Sequence, residues 1–449
     1  MNINRFTFES AELAGLSIAD AVERLNTFDV DDAALILPTL SLERAIGILE
    51  QPELHNAAEI VAGMDPGHAI RMLNGMANDR ATDLFQEFNE TVRAQLIAGL
   101  DAKIRASIQK LMHYPPDTAG SLMTTEFVSV PSNWTVGATL AHIRDVERSR
   151  ETVYAIYVLD AKDRALRHVV TLRRLITGEA DASILSVAQK DAPITVSPLT
   201  DQEEVARLIR RHDMLAIPVV DDSLHILGIV TVDDVIDAMI AENTEDAHKF
   251  GGMESLGKPY MQIGFGSMIR KRAGWLAALF LGEMLTASAM QYYEMELEKA
   301  IVLTLFIPLI MSSGGNSGSQ ATSLLIRGLA LHEVRLGDWW RVAIRELPTG
   351  MTLGTILGLI GITRIAIWHY AGFYDYGEHW VLIAITVGLA LVGIVTFGSF
   401  SGSMLPFILQ RIGFDPASAS APFVATLVDV TGLIIYFSVA MFVLGGTLL

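Results

Sequence analysis

The chain has 449 residues, 51% of them apolar, with a mean hydropathy of +0.38 and no cysteine. Disulfides, thiolate metal sites and cysteine nucleophiles are thereby excluded, and the hydropathy is too high for an ordinary soluble protein of this length. Net charge is −18 and is unevenly spread: residues 1–267 carry 23 Lys/Arg and 40 Asp/Glu, net −17, whereas residues 268–449 carry 10 and 11, net −1. Such an acidic half repels nucleic acid and anionic headgroups and attracts cations. The first thirty residues lack a basic stretch followed by an apolar core, so no signal peptide is read and the acidic half is expected in the cytoplasm.

Residues 1–117 read as an all-helical domain with a 12-residue repeat. An apolar residue followed by a helix-capping residue recurs at Leu40-Ser41, Met64-Asp65, Phe88-Asn89 and Leu100-Asp101, with weaker copies at Pro52-Glu53 and Met76-Ala77. Regular capping suits short antiparallel helices stacked as a superhelix; an ordinary helical bundle is the alternative. Tyr114-Pro115-Pro116-Asp117 stops the last helix, because two prolines cannot continue it.

Residues 118–245 contain a repeat of about 60 residues. Tyr157-Val158-Leu159-Asp160 recurs as Pro218-Val219-Val220-Asp221, and Val169 to Ile176 recurs as Ile229 to Ile236. Each unit reads as strand, helix, strand, turn, strand, helix. The pattern resembles a tandem pair of CBS domains, regulatory α/β modules that bind nucleotides or ions. The Gly-x-x-Thr-x-x-Asp stretch that holds ribose and phosphate in such modules is intact at Gly228, Thr231 and Asp234, but the first unit has His168 and Arg174 at the outer positions. Any ATP site would therefore be single.

Residues 246–268 are expected as an amphipathic connecting helix, and 269–449 as a membrane domain. Apolar stretches at about 272–292, 300–326, 348–370, 380–410 and 416–448 each reach the roughly 20 residues that cross a bilayer core. Arg270-Lys271-Arg272 precedes the first, and Arg327, Arg335, Arg341 and Arg345 lie between the second and third. The positive-inside rule then puts the N-terminus in the cytoplasm and the C-terminus outside. A long loop is expected at 364–379.

Three groups carry candidate chemistry. The second span holds Ser312-Ser313-Gly314-Gly315-Asn316-Ser317-Gly318-Ser319-Gln320. Polar residues at membrane depth normally face a protein interior or a water path, whereas small residues also serve close helix packing. Gly314, Gly315, Asn316, Gly318, Ser319, Gln320 and Ser323, with Glu298 just before the span, are the pore-lining candidates. Asp429 has no other charged residue within ten positions on either side. Two copies meeting on an axis would oppose two such carboxylates, and a hydrated Mg²⁺ between them would relieve the repulsion; a protonated packing Asp is the alternative. From Asp213 to His248 there are nine acids and no Lys or Arg. Oxygen ligands without His or Cys suit Mg²⁺ or Ca²⁺ rather than Zn²⁺, against the plain alternative of a solvated acidic face. No catalytic constellation is present; the scattered histidines and span-end tryptophans fit surface, packing and interfacial positions.

Taken together, the chain resembles the MgtE family of magnesium channels and transporters. The motifs are Tyr114 to Gly120, Gly228 to Val235, Thr244-Glu245-Asp246, Phe306-Ile307-Pro308, Gly314 to Gly318 with Gln320, Asp415-Pro416-Ala417, and Asp429-Val430-Thr431-Gly432 with Tyr436-Phe437. The resemblance implies a homodimer in the bacterial inner membrane, with no nucleic acid and no obligate protein partner. Its axial pore would lie between the second and fifth spans. It also implies that Asp429 binds the permeating ion, that Ala425 offers a carbonyl, and that Asp415 lies at the cytoplasmic mouth. Asp201, Glu203, Asp213, Asp234, Glu242, Glu245 and Asp246 match family Mg²⁺-sensor positions, with Asp79 and Asp83 in the N-terminal domain. Ser319 departs from the Asn frequent in relatives. The expected function is Mg²⁺ import closed by cytosolic Mg²⁺. A transporter of Co²⁺, Mn²⁺ or Ca²⁺, and a CBS-based membrane sensor without transport, are the alternatives.

Overall fold

The computed structural model describes residues 3–147, 152–257 and 259–448. Two compact units are present, Met1–Ala241 and Glu242–Leu449, and the helix Val232–Phe250 supplies residues to both.

In the first unit, short helices begin at caps Ser17, Asp29, Ser41, Asn56, Asp65, Ala77, Asn89 and Asp101. The 12-residue period thus extends two steps further toward the N-terminus than the motif suggests. It slips once: the turn after Gln51 delays the fourth start from Glu53 to Asn56, which adopts a left-handed φ of 54°. Ser17 accepts the N–H of Asp20, and Asn89 that of Val92, so orphan first-turn donors are satisfied. Alternate helices end at Asn26, Glu50 and Asn74. Each of these side chains accepts a backbone N–H from 27–29 residues further along: that of His55 at 2.8 Å, Ala77 at 2.9 Å and Asp101 at 3.0 Å. The helices stack on a continuous apolar core from Leu13 to Ile108. The result is a superhelical all-α domain.

The CBS pair follows. Strand β1 (Val128–Pro131) pairs parallel with β2 (Ala155–Leu159), which pairs antiparallel with β3 (Leu166–Thr171). In the second copy β4 (Ala216–Val220) pairs antiparallel with β5 (Ile226–Thr231), and Val196 makes the parallel bridge equivalent to β1. Both hairpins break register at the same place, between Val158 and Leu159 and between Val219 and Val220.

The connecting segment differs from expectation. Among the described residues no separate helix covers 246–268: one helix runs into it from Val232 and stops at Phe250, and the next starts at Phe265. Gly251 and Gly252 follow, with Gly252 at φ +73°, and Met253 N–H returns to the His248 carbonyl. This is a glycine-based helix stop.

Five helices among the described residues are long and apolar enough to cross a membrane: Phe265–Tyr292, Ile301–Ala330, Leu336–Tyr370, Trp380–Arg411 and Ala421–Leu444. The third begins earlier than expected because the Arg341–Arg345 stretch is already helical. It continues through 364–370, so the expected loop shrinks to 371–379. The fifth begins at Ala421 because Asp415 caps a separate short turn, Pro416–Ser418.

Within this unit, small residues set the helix approach. A β-carbon at Gly398 would fall 2.3 Å from the Gly314 carbonyl oxygen, and one at Gly402 would fall 2.2 Å from that of Gly318. The second and fourth spans therefore touch backbone to backbone. Ser317 and Ser399 share a buried hydroxyl bond of 2.6 Å, and the Thr322 hydroxyl donates to the Gly402 carbonyl at 2.8 Å. Tyr436 donates to the Leu303 carbonyl at 2.9 Å, joining the fifth span to the start of the second.

Candidate functional site

The second span splits its unusual residues between two faces. Gly314, Gly315 and Gly318 are buried against the fourth and fifth spans. Within one copy they permit close packing, the alternative use of small residues. Ser312, Asn316, Gln320 and Ser323 fall on another stripe at helical spacing and are exposed. Asn316 donates to Ser312 at 3.4 Å, and Ser319 is half-buried with its hydroxyl 3.4 Å from the Ala421 carbonyl. A row of exposed amides and hydroxyls on a spanning helix requires water, ions or another protein surface. Glu298 lies outside the span, exposed on the short helix Glu294–Lys299.

Asp429 sits half-buried on the fifth span, one helical turn beyond Ala425. Ala425 is in contact range of Gly315, where a β-carbon would stand 3.4 Å from that of Ala425. The structure also places a second carboxylate nearby. Glu283 of the first span is close enough to repel Asp429 electrostatically, and a β-carbon on adjacent Gly282 would fall 2.9 Å from Thr426 Cγ2. Trp275 Nε1 donates to Ser420 at 3.1 Å, pinning the same two helices. Glu283 is absent from the sequence-derived candidates. Its signal was present: it is the lone charge between Arg272 and Glu294.

The regulatory candidates separate into three places. Asp79 and Asp83 share the helix Asn78–Glu87, and both interact with Asp234 from the first turn of Val232–Phe250. Burial, aided by Asp83 and Glu126, pushes the Asp79 carboxyl up to about 6, and burial with the Asp79 charge pushes Asp234 up to about 7. Asp83 also rises to about 6 through burial, moderated by Arg80 at 3.7 Å. Half its side chain stays accessible, so solvent screening makes it the weaker member. Asp79 Oδ1 is buried without a hydrogen-bond partner. The donor chemistry, oxygen only with excess negative charge, fits a hard divalent cation.

Asp201 and Glu203 lie at the start of the helix Gln202–His212, where Asp201 accepts the Glu203 N–H at 2.8 Å. Asp213 caps its far end at φ 50°. About 16 Å of helix separates the two ends, so these acids cannot share one ion within a copy.

In the second unit, Glu245, Asp246 and Asp415 gather at Lys249, and Glu242 lies within electrostatic reach of Asp246. Its ammonium donates to Glu245 at 2.6 Å and to Asp415 at 2.5 Å. Burial opposes the ammonium, but these two bonds outweigh it and hold Lys249 well above its ordinary range. Burial, then Asp415 and Glu242, push Asp246 up to about 6. Among the described residues no three His, Asp or Glu side chains form a ready metal-ligand set.

The candidate nucleotide residues are engaged locally. Thr231 donates its hydroxyl to Asp234, and Gly228 packs on the Thr124 carbonyl, 2.6 Å from where a β-carbon would sit.

Comparison with known proteins agrees along the chain. Residues 307–439 match the MgtE divalent cation transporter family, 16–117 its intracellular N domain, and 187–241 a CBS domain. A magnesium transporter MgtE from Thermus thermophilus is 40% identical over 345 residues, 77% of this chain and 74% of that protein. One from Bacillus subtilis is 34% identical over 377 residues, 83% and 80% of the two. A crystal structure of the soluble part of a magnesium transporter superposes with a TM-score of 0.49 at 32% identity, covering 53% of this chain and 93% of that one. These relatives are transporters, not enzymes, and the chain belongs to the MgtE family of magnesium transporters.

Proposed function

We propose that the chain forms a homodimeric Mg²⁺ pathway in the bacterial inner membrane, with its N-terminus cytoplasmic and C-terminus outside. Mg²⁺ enters the cell down its electrochemical gradient. Each ion gains roughly 4–5 kcal/mol per 100 mV of inside-negative potential, so no ATP hydrolysis is required. One observation carries this reading: a half-buried carboxylate, Asp429, stands in an apolar span within electrostatic reach of the exposed carboxylate of Glu283. Two repelling acids at membrane depth favour a divalent cation between or near them. The exposed stripe Ser312, Asn316, Gln320 and Ser323 supplies polar groups that a hydrated ion and its waters would use.

Cytosolic Mg²⁺ closes the pathway in this reading. Mg²⁺ at Asp79, Asp83 and Asp234, and at Glu242, Glu245, Asp246 and Asp415, would offset the mutual repulsion of these gathered carboxylates. By linkage, the closed state must bind Mg²⁺ more tightly than the open one. ATP is the candidate nucleotide for Gly228, Thr231 and Asp234, and its phosphates would have to displace or share the Thr231–Asp234 bond.

The test is Mg²⁺ uptake into proteoliposomes. Wild-type protein takes up Mg²⁺, Asp429→Asn abolishes uptake with the protein still inserted, and Mg²⁺ on the domain side slows it. Full uptake by Asp429→Asn overturns the pathway. Preferred uptake of Co²⁺, Mn²⁺ or Ca²⁺ replaces the selectivity, and absence of flux for every ion points to a membrane sensor.

A further inference from the structure

A cavity of about 600 Å³ opens where the third span begins and the fourth ends. Leu336, Trp339, Phe400, Met404 and Phe407 give it apolar walls, and Arg411 stands among them as its cation. Phe407 is buried, while Leu336 and Ile408 remain substantially exposed. The cavity is therefore an open-sided apolar slot at a membrane-helix end rather than a sealed void. Trp339 and Trp340 meet edge to face at 5.6 Å beside it, and both are largely exposed. Paired tryptophans at span ends mark the headgroup level of a bilayer.

The charges around the slot favour one sign of ligand. Asp338, in the same turn, is already held by Arg341 at 3.3 Å and by the Arg335 N–H at 3.0 Å. Arg411 ends the fourth span and makes no ion pair among the described residues. An apolar slot with a cation at its interfacial edge matches acyl chain and phosphate in one molecule.

We infer that this slot binds an anionic phospholipid of the cytoplasmic leaflet, acyl chains against Phe400, Met404 and Phe407 and phosphate on Arg411. The inference rests on the membrane orientation proposed above, but not on the ion pathway at Asp429. Nothing in the transport reading requires this slot, so the two stand or fall separately.

The test uses the full chain purified in mild detergent and native mass spectrometry, which reads bound lipid and oligomeric state together. Phosphatidylglycerol and phosphatidylcholine with identical acyl chains are supplied in equal amounts. Wild-type protein should retain phosphatidylglycerol about five-fold over phosphatidylcholine, the preference expected from one interfacial cation. Arg411→Gln should erase the preference and Arg411→Lys should keep most of it. Met404→Trp should lower retention of both lipids by filling the cavity. Equal retention by wild type, or a preference that survives Arg411→Gln, overturns the inference. Loss of the oligomer in Met404→Trp with lipid retention unchanged also overturns it, assigning the slot to a second copy. Displacement of the lipid preference by millimolar inorganic phosphate shows a bare anion site and overturns it likewise. Mg²⁺ uptake that persists in Arg411→Gln shows that this variant is folded and inserted, so that its lost preference supports the inference.

Discussion

The Lys249 ammonium bridges Glu245 and Asp415, at 2.6 and 2.5 Å, joining the last turn of one helix to the loop before the fifth span. A tethered monovalent cation thus occupies a setting of three acids, Glu245, Asp246 and Asp415. Replacing it with Met removes the ammonium from Glu245, Asp246 and Asp415. Lys249→Met is expected to tighten divalent binding there on the order of tenfold. Slowing of uptake should then set in at correspondingly lower Mg²⁺ in proteoliposomes. An unchanged Mg²⁺ threshold would show that this group takes no part in closure.

The acids of the first unit give a pH signature. Asp79 and Asp234 keep their protons up to about 6 and about 7 because burial disfavours the charged forms. The unfolded chain releases the same protons near pH 4. Between these limits the folded state binds more protons, so stability rises as pH falls through 7 and levels off near 4. In Mg²⁺-free buffer, acidifying residues 1–241 from pH 8 to 5 is expected to raise Tm by about 5 °C. Saturating Mg²⁺ should flatten the profile, and Asp79→Asn should remove part of it. A Tm that falls over this range contradicts the assignment.

Backbone contact between the second and fourth spans predicts a sharp contrast between two glycines. Gly398→Ala forces a carbon against the Gly314 carbonyl and should cost about 1–3 kcal/mol. Gly274, on the first span, has nothing within 4 Å of its would-be β-carbon. Gly274→Ala should be neutral or slightly stabilising. Thermal unfolding of the detergent-purified chain distinguishes them.

Glu283 adds negative charge beside Asp429. Glu283→Gln removes that charge while keeping its size, so Mg²⁺ capture should weaken about five-fold with the maximal rate largely kept. Uptake measured against Mg²⁺ concentration reads the two effects apart. Abolished uptake would place Glu283 on the same footing as Asp429.

Much of the membrane unit was legible because length and apolarity alone define a spanning helix, and because Asp429 is conspicuous where charge is costly. The two faces of the second span were also readable: positions 312, 316, 320 and 323 share one side of a helical wheel, and 314 and 318 another. Treating the run as one polar motif obscured that split. The proximity of Glu283 to Asp429 depends on which spans are neighbours, which no local pattern specifies. The stop at Gly251 and Gly252 was a local signal outweighed by the mixed polarity of the residues that follow. The early repeats, Leu16-Ser17 and Phe28-Asp29, carry the same apolar-plus-cap pair at the same 12-residue spacing and were equally legible.

The contact of Gly398 on Gly314 and of Gly402 on Gly318 has a mechanical consequence. Where two main chains meet directly there are no rotamers to rearrange, so the joint has no soft mode of its own. The second and fourth helices would travel as a single strut, and any widening of a passage along the second would have to carry the fourth with it.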